Sequence, residues 1–148
     1  MRVLKFGGTS VANAENINKV IAIVRQTLKQ GPCMVVVSAL GGTTDVLIDA
    51  GKLASAGNES YKEKLQTIEQ RHLQCIKDLV PVTHQSAVLS EIKMKCNELE
   101  AICEGVFMLR ELSARTLDRI VSFGELMSSV IISHQLKAIG IAHQWADS

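Results

Sequence analysis

Apolar residues along this chain follow two rhythms, and the change-overs fall at glycine-rich junctions. Arg2-Val-Leu-Lys-Phe6 is a short strand-like run that stops at Gly7-Gly8. Ile17, Val20, Ile21, Val24 and Leu28 then recur at helical spacing behind Asn13, a residue suited to capping, and Gly31-Pro32 ends the pattern. Cys33-Met-Val-Val-Val-Ser38 is almost unbroken apolar sequence bounded by turn signals, which predicts a strand buried on both faces. Strand, helix and strand in so short a stretch make the βαβ unit of a parallel sheet.

A second glycine junction, Gly41-Gly-Thr-Thr-Asp45, leads into a predicted helix carrying Val46, Leu47, Ala50, Leu53 and Ala54, closed by Gly57. Two longer helical stripes follow. Tyr61, Leu65, Ile68, His72, Ile76 and Leu79 form the first, which stops near Pro81; Val88, Ile92, Leu99, Ile102, Val106 and Leu109 form the second. Joined by so short a connection they predict an antiparallel helical hairpin whose stripes are core. From Thr116 to Leu136 the pattern is again helical, with a break or restart expected at Ser122-Phe-Gly-Glu125. Gly140 is a natural stop, and Ile141-Ala-His-Gln-Trp145 reads as a third strand. Three strands beside five helices is an unbalanced count for a doubly wound α/β domain. That imbalance predicts a piece of a larger fold.

Composition narrows the function classes. At 148 residues the chain fits one domain, and a chain of that length buries roughly 70% of its unfolded surface. The 16 basic and 15 acidic residues are intermixed and nearly cancel, and only 3% of residues are aromatic. That combination speaks against a nucleic-acid footprint or a base-stacking platform. No apolar run approaches the ~20 residues of a membrane span, and the early glycines exclude a signal-peptide core. Cys33, Cys75, Cys96 and Cys103 include no Cys-x-x-Cys pair. Cys96 and Cys103 stand about 10 Å apart along a helix, too far for a disulfide. All four are expected to be buried thiols in a reducing cytoplasm. His72 and Cys75 share a helical face, but no second pair completes a zinc-like set, so no metal site is expected.

The candidate chemistry lies in three clusters of small polar residues. Lys5-Phe-Gly-Gly-Thr-Ser10 combines a cation at a strand end with two glycines that let backbone amides approach an anion. A plain Gly-Gly turn beside a solvated lysine fits that spacing equally well. It is neither a Walker loop nor a dinucleotide fingerprint. Ser38-Ala-Leu-Gly-Gly-Thr-Thr-Asp45 offers hydroxyls and amides for a carboxylate or phosphate, or simply a helix capped by Thr43 or Thr44. Ser122-Phe-Gly-Glu125 has the spacing of a capping box; the alternative is a carboxylate aimed at an ammonium group. Two of the three lie at carboxyl ends of predicted parallel strands, where open α/β sheets bind ligands.

Taken together, Lys5-Phe-Gly-Gly-Thr-Ser-Val11, Val37-Ser-Ala-Leu-Gly-Gly-Thr-Thr44 and Gly124-Glu125, in that order, resemble the aspartate kinases of the amino-acid kinase family. Ala146-Asp147-Ser148 resembles the stretch that follows, and Met1 to Glu15 is similar to the bifunctional aspartate kinase–homoserine dehydrogenases. The resemblance implies a partial three-layer α/β/α amino-acid kinase fold, with a mainly parallel sheet and a long helical hairpin. Residues 1–148 would be the amino-terminal, amino-acid-binding part of the catalytic domain. It implies transfer of the γ-phosphoryl group of ATP, with Mg2+, to the side-chain carboxylate of L-aspartate. Lys5 would stabilise the moving phosphoryl group, Gly7 and Gly8 would shape the loop beneath the phosphates, and Thr9 and Ser10 would assist. Ser38 and Thr44 would contact aspartate, and Glu125 would hold its α-ammonium. Family members carry the nucleotide-binding half, a substrate-clamping arginine and regulatory domains farther along, and the bifunctional type also carries an NADP-dependent dehydrogenase. The expectation is therefore a homo-oligomeric cytoplasmic parent, and a segment that is inactive alone and self-associates through an open sheet edge. Two rivals remain: a kinase for glutamate or acetylglutamate, and a non-catalytic amino-acid-binding or interaction module using the hairpin from Tyr61 to Arg110.

Overall fold

The computed structural model describes residues 1–147, so Ser148, the last residue of the resemblance, lies outside the described residues. The elements run β1 (Arg2–Phe6), α1 (Ala14–Leu28), β2 (Cys33–Val37), α2 (Thr43–Ser55), α3 (Tyr61–Leu79), α4 (Val82–Leu109) and α5 (Ala114–Ala138). The strands pair in parallel, with Lys5 opposite Val36 and Phe6 opposite Val37, and α1 makes the crossover. This is the βαβ unit expected from the hydrophobic pattern.

Asn13 caps α1 as its residue type suggests: its Oδ1 accepts from the Asn16 amide at 2.9 Å. Ile17, Val20, Ile21 and Val24 are buried, whereas Leu28 at the helix end is exposed. The hairpin also forms as expected, with Val80-Pro81 as the whole connection between α3 and α4. Tyr61, Ile68, His72, Ile76 and Leu79 of α3 face Val88, Ile92, Leu99 and Val106 of α4 in one core that also takes in α2 and α5. Burying side chains of this size contributes about 1.5–3 kcal/mol each. Leu109, the last member of the α4 stripe, is exposed because the helix ends in a left-handed Arg110 (φ 57) just beyond it.

Three expectations about the strands and helices fail. β2 is not buried on both faces: Leu4, Phe6, Cys33, Val35 and Val37 turn toward the helices, but Val3, Met34 and Val36 are exposed. Two strands carry a helical layer on one side, and nothing among the described residues covers the other. Ile141 to Trp145 is not a strand. A strand exists only through its ladder, and this segment is held instead by side chains. Trp145 Nε1 donates to Ser129 Oγ at 3.0 Å, and the His143 ring meets Ser133 Oγ at 2.7 Å. Finally, α5 runs unbroken through Ser122-Phe-Gly-Glu125. Its cap is Ser113, whose Oγ accepts from the Thr116 amide at 3.1 Å, while Ser122 Oγ donates back to the Arg119 carbonyl at 2.6 Å. The capping-box spacing is real but falls mid-helix, where those amides already have partners.

All four cysteines are free thiols; Cys75 and Cys103 are buried, whereas Cys33 and Cys96 are only half-buried. Burial pushes the Cys75, Cys96 and Cys103 thiols up to about 11. Among the described residues no group of three or more His, Cys, Asp or Glu side chains is placed to hold a metal. His72 is fully buried, and its Nδ1–H donates to the Ile68 carbonyl at 2.6 Å. Among the described residues no helix is long and apolar enough to cross a membrane.

Candidate functional site

The three polar clusters meet around the carboxyl ends of β1 and β2. The parallel register puts Phe6 beside Val37, and the Ser38 amide continues the ladder by donating to the Phe6 carbonyl at 3.0 Å. The two glycine junctions therefore leave the sheet side by side. Their backbones nearly touch: a Cβ on Gly41 would stand 3.0 Å from the Gly8 carbonyl oxygen and 3.2 Å from Ala12 Cβ. A Cβ on Gly8 would meet the Ala39 carbonyl oxygen at 3.4 Å. Glycine is required at Gly41 by this approach, not by its dihedral angles.

The third cluster arrives on α5. A Cβ on Gly124 would lie 2.7 Å from Ala39 Cβ, 3.2 Å from Leu47 Cδ1 and 3.8 Å from Thr43 Cγ2, so the helix rests directly on the second junction. One turn on, Ser128 Oγ donates to the Ser38 carbonyl at 2.7 Å across 90 residues of sequence. Glu125 lies between these two contacts and is itself exposed. Sequence reasoning passed over Ser128, since nothing in a run of serines marks which one reaches another element.

Both junctions present backbone amides of the kind that bind anions. Ser10 N–H donates to the Gly7 carbonyl at 3.1 Å and Ala12 N–H to Thr9 at 3.3 Å, whereas the Gly8 and Thr9 amides donate to no group among the described residues. At the second junction Gly42, left-handed at φ 82, is the N-cap of α2, and no side chain caps the helix. Neither Thr43 nor Thr44 does so, which overturns the simplest reading of that cluster. The Thr43 amide donates to the Leu40 carbonyl at 2.9 Å, and the first-turn amides that follow have no side-chain cap at the positive end of the helix dipole. Thr43 is buried and its hydroxyl has no partner, a placement that costs about 1–3 kcal/mol unless something else satisfies it. Thr44 is exposed beside it.

Lys5 is exposed and has no ion-pair partner among the described residues; by strand alternation it shares the open face with Val3 and Val36. Thr9 and Ser10 are also exposed, and Ser38 is half-buried, its hydroxyl making no hydrogen bond among the described residues. A second residue that the hydrophobic pattern could not single out, Arg71 on α3, reaches in from below. Its Nη2 donates to the Ala12 carbonyl at 2.9 Å, and its Nη1 lies 3.6 Å from where a Cβ of Gly42 would be.

Known proteins resemble this chain in sequence and in fold. The chain is 37% identical over 99% of its length to "Aspartokinase 1, chloroplastic" of Arabidopsis thaliana, covering 25% of that protein. It is 27% identical over 99% of its length to "Bifunctional aspartokinase/homoserine dehydrogenase 2, chloroplastic" of the same plant, covering 16% of it. The chain therefore spans a quarter or less of these relatives. E. coli aspartokinase III, solved with aspartate and ADP in its R-state, superposes with a TM-score of 0.83 at 25% identity, over 99% of this chain and 31% of that one. The fold is the α/β amino-acid kinase fold, mostly helical with a small parallel sheet. The pattern of the amino acid kinase family matches residues 1–148 from end to end, and the chain belongs to that family.

Proposed function

We propose that this chain is the amino-terminal, amino-acid-binding part of an aspartate kinase, which transfers the γ-phosphoryl group of ATP to the side-chain carboxylate of L-aspartate. One observation carries the reading. Two glycine junctions and the Gly124–Ser128 turn of α5 converge at one rim of the sheet, with the start of α2 uncapped by any side chain and Lys5, on the open side, without an ion-pair partner among the described residues. Phosphoryl transfer to a carboxylate needs positioning and charge stabilisation, with no covalent protein intermediate. In this reading the Gly8 and Thr9 amides receive phosphate oxygens, with Gly7 and Ser10 completing the loop. Lys5 offsets the charge that spreads over the moving phosphoryl group. Ser38, Thr44 and the α2 amides hold the aspartate carboxylates, and Glu125 holds its α-ammonium. Magnesium would arrive with the nucleotide phosphates. The open face of β1 and β2, and the strand edges that have no partner among the described residues, are where the rest of the enzyme is expected to pack. Alone, this segment is expected to be inactive and to self-associate through those edges. We assign it to the cytoplasm on its free thiols, although the plant relatives are named as chloroplastic.

The test is ADP release by the complete enzyme with aspartate, glutamate or acetylglutamate as acceptor. Aspartate should be preferred. Lys5→Ala should lower kcat by about 100- to 1,000-fold with an unchanged melting curve, because the side chain is exposed. Glu125→Ala should raise the aspartate KM by about 10- to 100-fold, the loss of one hydrogen bond to a charged group. Preference for another acceptor would reassign the substrate, and a near-normal Lys5→Ala rate would remove Lys5 from the mechanism.

A further inference from the structure

We propose that Arg71 is a positioning residue, which locks the Gly7–Asn13 loop against the Gly41–Gly42 turn and so sets the spacing of the two anion-binding junctions. The inference rests on the kinase reading for its catalytic consequence, but not for its structural one.

Inside the first loop, the Ser10 and Ala12 amides close turns on Gly7 and Thr9, and Asn16 Nδ2 donates to the Thr9 carbonyl at 2.9 Å from the adjoining helix. All of these bonds are local. They shape the loop and do not fix where it stands relative to its neighbour. Among the described residues, the Arg71–Ala12 bond is the one side-chain hydrogen bond that reaches this loop from another packed element, across 59 residues. The same guanidinium stands next to Gly42, its Nη1 3.6 Å from where a Cβ would be, and the neighbouring Gly41 is in close approach to Gly8 and Ala12. One planar group is therefore bonded to the first junction and stands beside the second, and its fork geometry fixes direction as well as distance.

The charge placement is the second argument. Arg71 is half-buried, and no carboxylate among the described residues lies within ion-pair distance of it. It lies beside the positive end of α2, where a cation is unfavourable and an anion favourable. Asp45 in the first turn of α2 partly offsets that end of the helix but forms no ion pair with Arg71, so the guanidinium adds positive charge beside a helix amino terminus, where an anion binds favourably. Arg71 reinforces that field while its own hydrogen bond is spent on the backbone. His72, the next residue, does not share the task, since its ring is buried and bonded to Ile68.

Two measurements test this. In this chain, hydrogen exchange of Arg71→Ala should show at least tenfold faster exchange over residues 8–13 and 41–45, with the α3–α4 hairpin unchanged, and Arg71→Lys should recover part of the protection. In the complete enzyme Arg71→Ala should lower kcat about 100-fold, the scale of an ångström-sized misplacement, while KM for aspartate and ATP shifts less than about threefold. Arg71→Lys should restore at least a third of the lost rate on a logarithmic scale. Unchanged exchange in both loops, or a loss spread over the hairpin as well, would overturn the strut. If the loops loosen but kcat holds, the catalytic half of the inference fails. Should the wild-type enzyme instead prefer another acceptor, the same comparison is made on that acceptor, and only the substrate assignment changes.

Discussion

Replacing Gly124 by alanine separates helix propensity from close packing, because the chain contains its own control. Gly124 and Gly105 are both interior helical glycines, in α5 and α4. A Cβ added at Gly105 meets nothing within 4 Å, whereas one at Gly124 falls 2.7 Å from Ala39 Cβ and 3.2 Å from Leu47 Cδ1. Carbon atoms prefer about 3.5–4.0 Å, so α5 and the Ala39 backbone must part by about 1 Å. Ala39 has no side-chain torsion through which to yield. Alanine gains about 1 kcal/mol over glycine in a helix interior, and overpacking of this kind costs about 1–3 kcal/mol. Gly105→Ala should therefore stabilise by about 1 kcal/mol, and Gly124→Ala should range from neutral to about 2 kcal/mol destabilising. Denaturant unfolding of the two variants should place their midpoints about 1–3 kcal/mol apart, or several degrees in Tm. In the complete enzyme the same displacement should open the Ser38 junction and cost far more activity than stability. Equal stabilisation by both substitutions would refute the contact, and with it the docking of α5 on the second junction.

Ser113→Ala should destabilise by about 1 kcal/mol, because it removes the true cap of α5, whereas Ser122→Ala should stay within about 0.5 kcal/mol; urea titration of both decides which serine begins the helix. Burial holds the His72 imidazole down to about 4 from an ordinary value near 6.5. The unfolded chain then binds the extra proton between those values, so stability should be complete above pH 6.5 and fall as pH drops toward 4. The loss attributable to His72 should be about 3 kcal/mol, and its pH slope should be absent from His72→Gln, measured by unfolding at a series of pH values.

Much of this molecule is legible in local pattern. β1, α1, β2 and the α3–α4 hairpin follow from period, glycine and proline, because each of those signals acts within a few residues. The stops at Gly7 and Pro81 and the cap at Asn13 are equally local. The three clusters could be singled out for the same reason, since small polar residues at element ends are visible one junction at a time. What those clusters are for is not local. Ser122 and Glu125 have capping-box spacing, and only the continuity of α5, fixed by Ser113 and by the burial of Phe123, Gly124 and Met127, moves them to mid-helix. Thr43 and Thr44 look like caps until the Gly41–Gly42 turn makes Gly42 the cap instead.

The sequence by itself determined the two strands of the βαβ unit, the helical stretches and which residues could carry charge to a ligand. Only the tertiary structure decided that Gly8 touches Gly41, that Gly124 rests on Ala39, that Ser128 reaches Ser38 and that Arg71 bridges two loops. It also decided against the strand at Ile141 to Trp145 and against a second covered face on β2. The division has one physical cause. Periodicity and capping are set by neighbours along the chain, whereas ladders, close backbone approach and burial depend on partners distant in sequence, which a one-dimensional pattern does not encode.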